Sequence, residues 1–96
     1  MNTANPSPWR GNKNAAGQLA SIERVFAFAD FDSALAFVNG VATIAQQQNH
    51  HPSILLQWGS CVLRWSTHDA GNTVTERDLV CADLCDALYQ QMSRPL

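Results

Sequence analysis

Over residues 22–28 the chain alternates: Ile22, Arg24, Phe26 and Phe28 fall on one side, Glu23, Val25 and Ala27 on the other. A period of two predicts a strand. The period then lengthens. Leu35, Val38, Ala42 and Ala45 recur at three- and four-residue steps, and Phe37, Val41 and Ile44 widen the stripe, so residues 33–48 predict an amphipathic helix. Asp30 or Asp32 is placed to cap it. Pro52 cannot extend that helix and biases His51 toward extended backbone. The pair His50-His51 therefore stands at a helix-to-strand handover, a natural rim position. Residues 54–58 and 61–67 read as two strands joined at Gly59-Ser60, a hairpin. One face of the first carries Ile54, Leu56 and Trp58, and one face of the second carries Cys61, Leu63 and Trp65. Residues 69–74, with Gly71-Asn72, read as a loop. Thr75 then caps a last helix reaching about residue 91, with Asp78 placed as in a capping box. Its expected apolar positions are Leu79, Ala82, Leu84, Cys85 and Leu88. Helices alternating with hairpin-forming strands predict an α+β domain, an antiparallel sheet with helices packed on one face.

Residues 1–18 differ in kind. They hold Asn, Gly, Ser and Pro with little periodicity, so they are expected to be a flexible leader to a domain at 19–96. Trp9 is the exception, and a lone tryptophan in such a segment is expected to pack back onto the domain or onto a neighbouring subunit. A total of 96 residues is one domain. The net charge of −2 is mild and the six Lys and Arg are scattered, so direct binding to nucleic acid is not expected. No apolar run is long enough to cross a bilayer, and residues 1–18 lack the apolar stretch of a signal peptide, so a cytoplasmic protein is expected. Cys61, Cys81 and Cys85 form no Cys-x-x-Cys pair. They read as buried thiols in a reducing compartment, in preference to a zinc site shared with histidines.

All three histidines, His50, His51 and His68, lie within one 19-residue window. Imidazole titrates near neutral pH and suits proton transfer. From His50 the order is His-His-Pro, five residues, Trp58, nine residues, His68, nine residues, Asp78. Upstream, residues 24–31 read Arg-Val-Phe-Ala-Phe-Ala-Asp-Phe. Together these resemble the pterin-4a-carbinolamine dehydratases, over roughly residues 22–88. Gln46 stands where that family usually carries an acidic residue, and residues 1–17 hold no counterpart of its N-terminal helix.

The resemblance implies a four-stranded sheet and a lyase that dehydrates 4a-hydroxytetrahydropterin to quinonoid dihydropterin in tetrahydrobiopterin recycling. It implies that His50, His51 and His68 act as general acid and base without a metal, and that pterin is the substrate, with no cofactor. It places Asn49, Ser66, Thr67, His68, Asp69 and Asp78 with the histidine pair around the ligand. An aromatic amino-acid hydroxylase is the functional partner it suggests, and a homodimer or homotetramer the assembly.

The plainer readings differ residue by residue. Adjacent side chains diverge, by about 100° on a helix, so His50 and His51 are poorly placed to chelate one ion and better placed to line two sides of a small molecule. Alone, they would be read as imidazolium groups at a helix C-terminus. A single histidine such as His68 at a strand end is more often structural, and capping alone explains Asp78. Trp58 and Trp65 are expected in the core or an interface rather than stacked on a ligand. The alternative function is a weakly active or inactive scaffold of the same fold that binds a protein partner, as an assembly factor or transcriptional coactivator. Retention of all three histidines favours the enzyme.

Overall fold

This computed structural model describes residues 8–92. The elements are β1 (Arg10–Lys13), β2 (Leu19–Ala27), α1 (Phe31–Gln48), β3 (Ser53–Gln57), β4 (Ser60–Trp65), a single 3-10 turn (His68–Ala70) and α2 (Glu76–Met92). The strands form one sheet in the order β1-β2-β4-β3, with every neighbouring pair antiparallel. Strand β4 therefore lies between β2 and β3, the two strands that α1 connects.

Register explains the burial pattern. Ile22 faces Trp65, Arg24 faces Leu63 and Phe26 faces Cys61 across β2 and β4. Residues directly opposite in an antiparallel pair share a face. That face meets the helices, and Phe26, Cys61, Leu63 and Trp65 are fully buried there. Phe26 packs on Phe37 of α1 at 4.7 Å between ring centroids and on Tyr89 of α2 at 5.0 Å. Truncating a ring such as Phe37 to Ala would cost about 3–5 kcal/mol.

Both helix stripes match expectation in part: Phe37, Val41, Ala45, Ala82 and Cys85 are buried as expected. On α1 the buried positions are Ala34, Phe37, Val41 and Ala45, while Leu35 stays 39% exposed. The face carrying the Phe37 ring wins, because that ring closes on Phe26. On α2 the buried positions are Asp78, Cys81, Ala82 and Cys85, while Leu79 is 50% exposed and Leu84 faces outward as well. Small side chains let α2 lie close. At Gly40 a Cβ would stand 2.6 Å from Leu88 Cδ2, so glycine leaves the room that the Leu88 side chain fills between α1 and α2.

The hairpin turn is Trp58-Gly59, one residue earlier than expected, because Gln57 pairs with Ser60. Trp58 thus leaves the strand and is 71% exposed, whereas Trp65 is core. The segment expected as a flexible leader contains β1, which pairs with β2 at Arg10↔Glu23 and Asn12↔Ser21. Backbone pairing rather than apolar burial holds this edge strand, which hydrophobic periodicity does not register. Residues 1–7 of that segment lie outside the described residues. Trp9 packs back onto the domain: its ring meets Phe26 edge-on at 5.8 Å and its Nε1–H donates to the Asp86 carboxylate at 3.0 Å. Among the described residues no helix is long and apolar enough to cross a membrane.

Candidate active site

The site is built where α1 ends. Asp30 begins that helix by accepting the Ser33 N–H at 2.8 Å, a bond that holds its carboxyl below the usual range. At the other end Asn49 adopts the left-handed conformation, φ 50°. The His50 N–H returns to Ala45 O at 3.0 Å and the Asn49 N–H to Gln46 O at 3.3 Å. This is a Schellman ending, and asparagine tolerates its left-handed position. The sharp turn sends the two histidines apart. His50 is 7% exposed and points inward, while His51 is exposed. The expected rim position thus holds for His51 only. His50 belongs to the wall.

His50 stacks on the buried Trp65 ring at 5.5 Å with 20° between planes. Its Nε2 lies 2.6 Å from Asp78 Oδ1, in the first turn of α2. Asp78 is fully buried. Its Oδ2 accepts the Thr67 hydroxyl at 2.7 Å and the Thr75 N–H at 2.9 Å, the second of these being one half of the expected capping box. A hydroxyl has one proton. Since Thr67 gives its own to Asp78, Thr75 must donate across the 2.6 Å contact between the two threonines. One carboxylate oxygen thus caps a helix, the plain reading of Asp78, while the other holds the His50 ring. Having no exposed surface, Asp78 does not itself line the cleft, and its link to it is the bond to His50.

A cleft of about 300 Å³ opens here. His50, His51 and His68 all line it, with Asn49, Ser66 and Asp69. Six of the eight residues expected around a ligand thus share one cavity, with Thr67 and Asp78 directly behind it. Ser66 uses its hydroxyl on Ala20 O at 2.7 Å, which fastens the end of β4 to β2. His51 Nε2 meets Gln46 Oε1 at 2.7 Å, one turn back on α1. His68 Nδ1 meets Asn72 Oδ1 at 2.9 Å.

Arg77 also lines the cleft and was not among the expected site residues. Its guanidinium donates to Asn49 O at 3.0 Å and stands 4.0 Å from the Asp69 carboxylate. It ties the end of α1 to the start of α2. The signal was its position beside Asp78: neighbours on a helix diverge, so one enters the core as the other reaches the cleft. Among the described residues no three His, Cys, Asp or Glu side chains are grouped as a metal site requires. The three cysteines are buried and free. Burial pushes the Cys61 thiol up to about 11 and the Cys85 thiol up to about 12, as expected of core thiols.

The sequence profile of the pterin 4 alpha carbinolamine dehydratase family matches residues 2–88. The chain belongs to that family. A relative from Marinobacter nauticus, provisionally named pterin-4-alpha-carbinolamine dehydratase, is 44% identical over 71% of this chain and 60% of its own length. One from Vibrio cholerae under the same provisional name is 40% identical over 73% of this chain and 63% of its own length. The chain thus spans about 60% of the length of these curated relatives. Among solved structures, one described as a transcriptional coactivator/pterin dehydratase from Brucella melitensis superposes with a TM-score of 0.73 at 30% identity, covering 85% of this chain and 82% of that one. A pterin dehydratase-like protein described as a RuBisCO assembly factor in the alpha-carboxysome shares the fold, with a TM-score of 0.71 at 19% identity over 86% and 90% of the two chains.

Proposed function

We propose that this member of the carbinolamine dehydratase family is a hydro-lyase that converts 4a-hydroxytetrahydropterin to quinonoid dihydropterin, in cytoplasmic tetrahydrobiopterin recycling. The observation that carries the reading is the convergence of His50, His51 and His68 on one cleft. The reaction removes the 4a-hydroxyl and the proton on the adjacent ring nitrogen. One imidazolium protonates the departing hydroxyl, which leaves as water, and one neutral imidazole accepts the nitrogen proton. Each role is typically worth about 10²–10⁴-fold. The two histidines of the pair face different directions, so leaving groups on either face of a flat ring meet a different imidazole.

The test follows loss of the carbinolamine absorbance with and without a chelator. Acceleration that survives the chelator is expected. A rate equal to buffer would remove the enzyme reading, and a rate abolished by chelator would remove the metal-free mechanism. His51→Ala and His68→Ala should each slow the reaction while stability stays within about ±0.5 kcal/mol, since both side chains are exposed.

A second reading is a protein-binding scaffold. The description of the Brucella melitensis relative as coactivator as well as dehydratase favours keeping it, as does the neutral Gln46 beside His51. An inert chain in the assay above, folded and with an intact cleft, would move the case to this reading.

A further inference from the structure

The loop that follows His68 does more than reach α2. Gly71 and Asn72 are consecutive left-handed residues, φ 75° and φ 58°. The Thr67 N–H donates to Thr73 O at 2.9 Å, and the Thr73 hydroxyl donates to Ala70 O at 2.8 Å. These bonds close the chain on itself and bring the Asn72 side chain to the edge of the His68 ring, with Oδ1 2.9 Å from Nδ1. Asparagine is one of the few side-chain-bearing residues that accept such a backbone without large cost.

A neutral imidazole has one N–H and one lone pair, and a hydrogen-bond partner on one nitrogen decides which is which. An unpartnered histidine in water favours the proton on Nε2. His50 and His51 meet their acceptors, Asp78 and Gln46, through Nε2. His68 differs from both, because its acceptor is on Nδ1. We propose that Asn72 is a positioning residue that holds neutral His68 as the Nδ1–H tautomer, leaving the lone pair of this cleft-lining ring on Nε2. Its consequence for catalysis rests on the dehydratase reading: His68 is then the imidazole pre-set to accept the ring-nitrogen proton through Nε2, and becomes an imidazolium doing so.

Two variants test this. Asn72→Gly keeps the left-handed backbone and removes the acceptor. Asn72→Asp keeps an acceptor and has no amide N–H to offer. Long-range nitrogen-15 spectra of the histidine rings are recorded at a pH where the rings are neutral. In the parent and in Asn72→Asp, His68 should show a protonated Nδ1 and a lone-pair Nε2. In Asn72→Gly the major form should become Nε2–H, with the His50 and His51 signals and the melting temperature unchanged. The same variant should lose up to about tenfold in kcat with little change in KM, less than the full value of a general base because water partly replaces the acceptor. A parent His68 carrying its proton on Nε2, or a tautomer ratio indifferent to Asn72→Gly, overturns the proposal. A shifted tautomer with unchanged kcat overturns its catalytic consequence. If the tautomers behave as stated but the parent does not dehydrate carbinolamine, Asn72 keeps its positioning role and the dehydratase reading fails.

Discussion

Asp78 Oδ1 and His50 Nε2 lie 2.6 Å apart in the interior, joining the first turn of α2 to the end of α1. The carboxylate serves two other donors, the Thr67 hydroxyl and the Thr75 N–H. Asp78→Ala would strand two buried donors, His50 and Thr67, and the part-buried Thr75 N–H. A buried donor left unpaired costs about 1–3 kcal/mol, and about 1 kcal/mol moves the midpoint of a domain this size by roughly 4–8 °C. Thermal unfolding of Asp78→Ala should therefore begin at least about 8 °C lower. Asp78→Asn keeps an acceptor for the helix cap, so it should melt closer to the parent while still losing activity through His50. Equal activity in parent and Asp78→Asn would show that the carboxylate serves the fold alone.

Gln46 sits one helical turn from His51 and holds its Nε2 at 2.7 Å. An amide offers a hydrogen bond but no charge. Gln46→Glu would place a carboxylate at the same distance, which favours an imidazolium over a neutral ring. Whichever limb of the pH–rate profile His51 sets, the alkaline one if it is the general acid, should then move to higher pH. A superimposable profile would show that His51 takes no part in the proton transfer that limits the rate.

Much of the fold was visible in the sequence, and for a physical reason. The sheet is covered on one face, so the alternation through Ile22, Arg24 and Phe26 reports burial directly. The helices were found, and their buried faces in part: Leu35 and Leu79 outrank Ala34 and Cys81 in hydrophobicity, yet the small residues are the ones that let the layers approach. Strand β1 was hidden because Arg10, Asn12 and Lys13 have no apolar period. In the site, the histidines and Asp78 carried their own signal. The bond from Asp78 to His50 did not, since it spans 28 residues and depends on how α2 docks. Arg77 and Asn72 are ordinary polar residues until the helix end and the loop place them.

The buried thiols make a prediction about alkaline pH. Desolvation raises Cys61 and Cys85 from an ordinary 9.0 to about 11 and about 12. The unfolded chain therefore releases these protons at lower pH than the folded one. Their contribution to stability is complete below about pH 9 and declines as pH rises toward the folded values. Melting temperature should fall across that interval, and more gently in Cys85→Ala, which lacks the thiol with the largest shift. An unaltered slope in that variant would assign the alkaline loss to other groups. The native thiols should also resist alkylation at neutral pH and react on unfolding.

Assembly is the last expectation. Of the large apolar residues on the hairpin, Leu63 and Trp65 are already spent on the core, while Trp58 is 71% exposed. The uncovered face of the sheet supplies more apolar surface. Val25 pairs with Val62, and Val62 with Leu55, so the three form one row across β2, β4 and β3. Val25 is 60% exposed and Leu55 53%. An exposed apolar row of this kind suits association, and a closed two-fold dimer is the commonest way to cover one. Light scattering at micromolar concentration should give the mass of a dimer or tetramer. Leu55→Lys should lower that mass without unfolding the domain and should shift the Trp58 fluorescence to longer wavelength. A monomer mass for the parent would refute the assembly. An unchanged mass in Leu55→Lys would move the interface off the sheet, toward the outward face of α2 at Leu79, Val80 and Leu84.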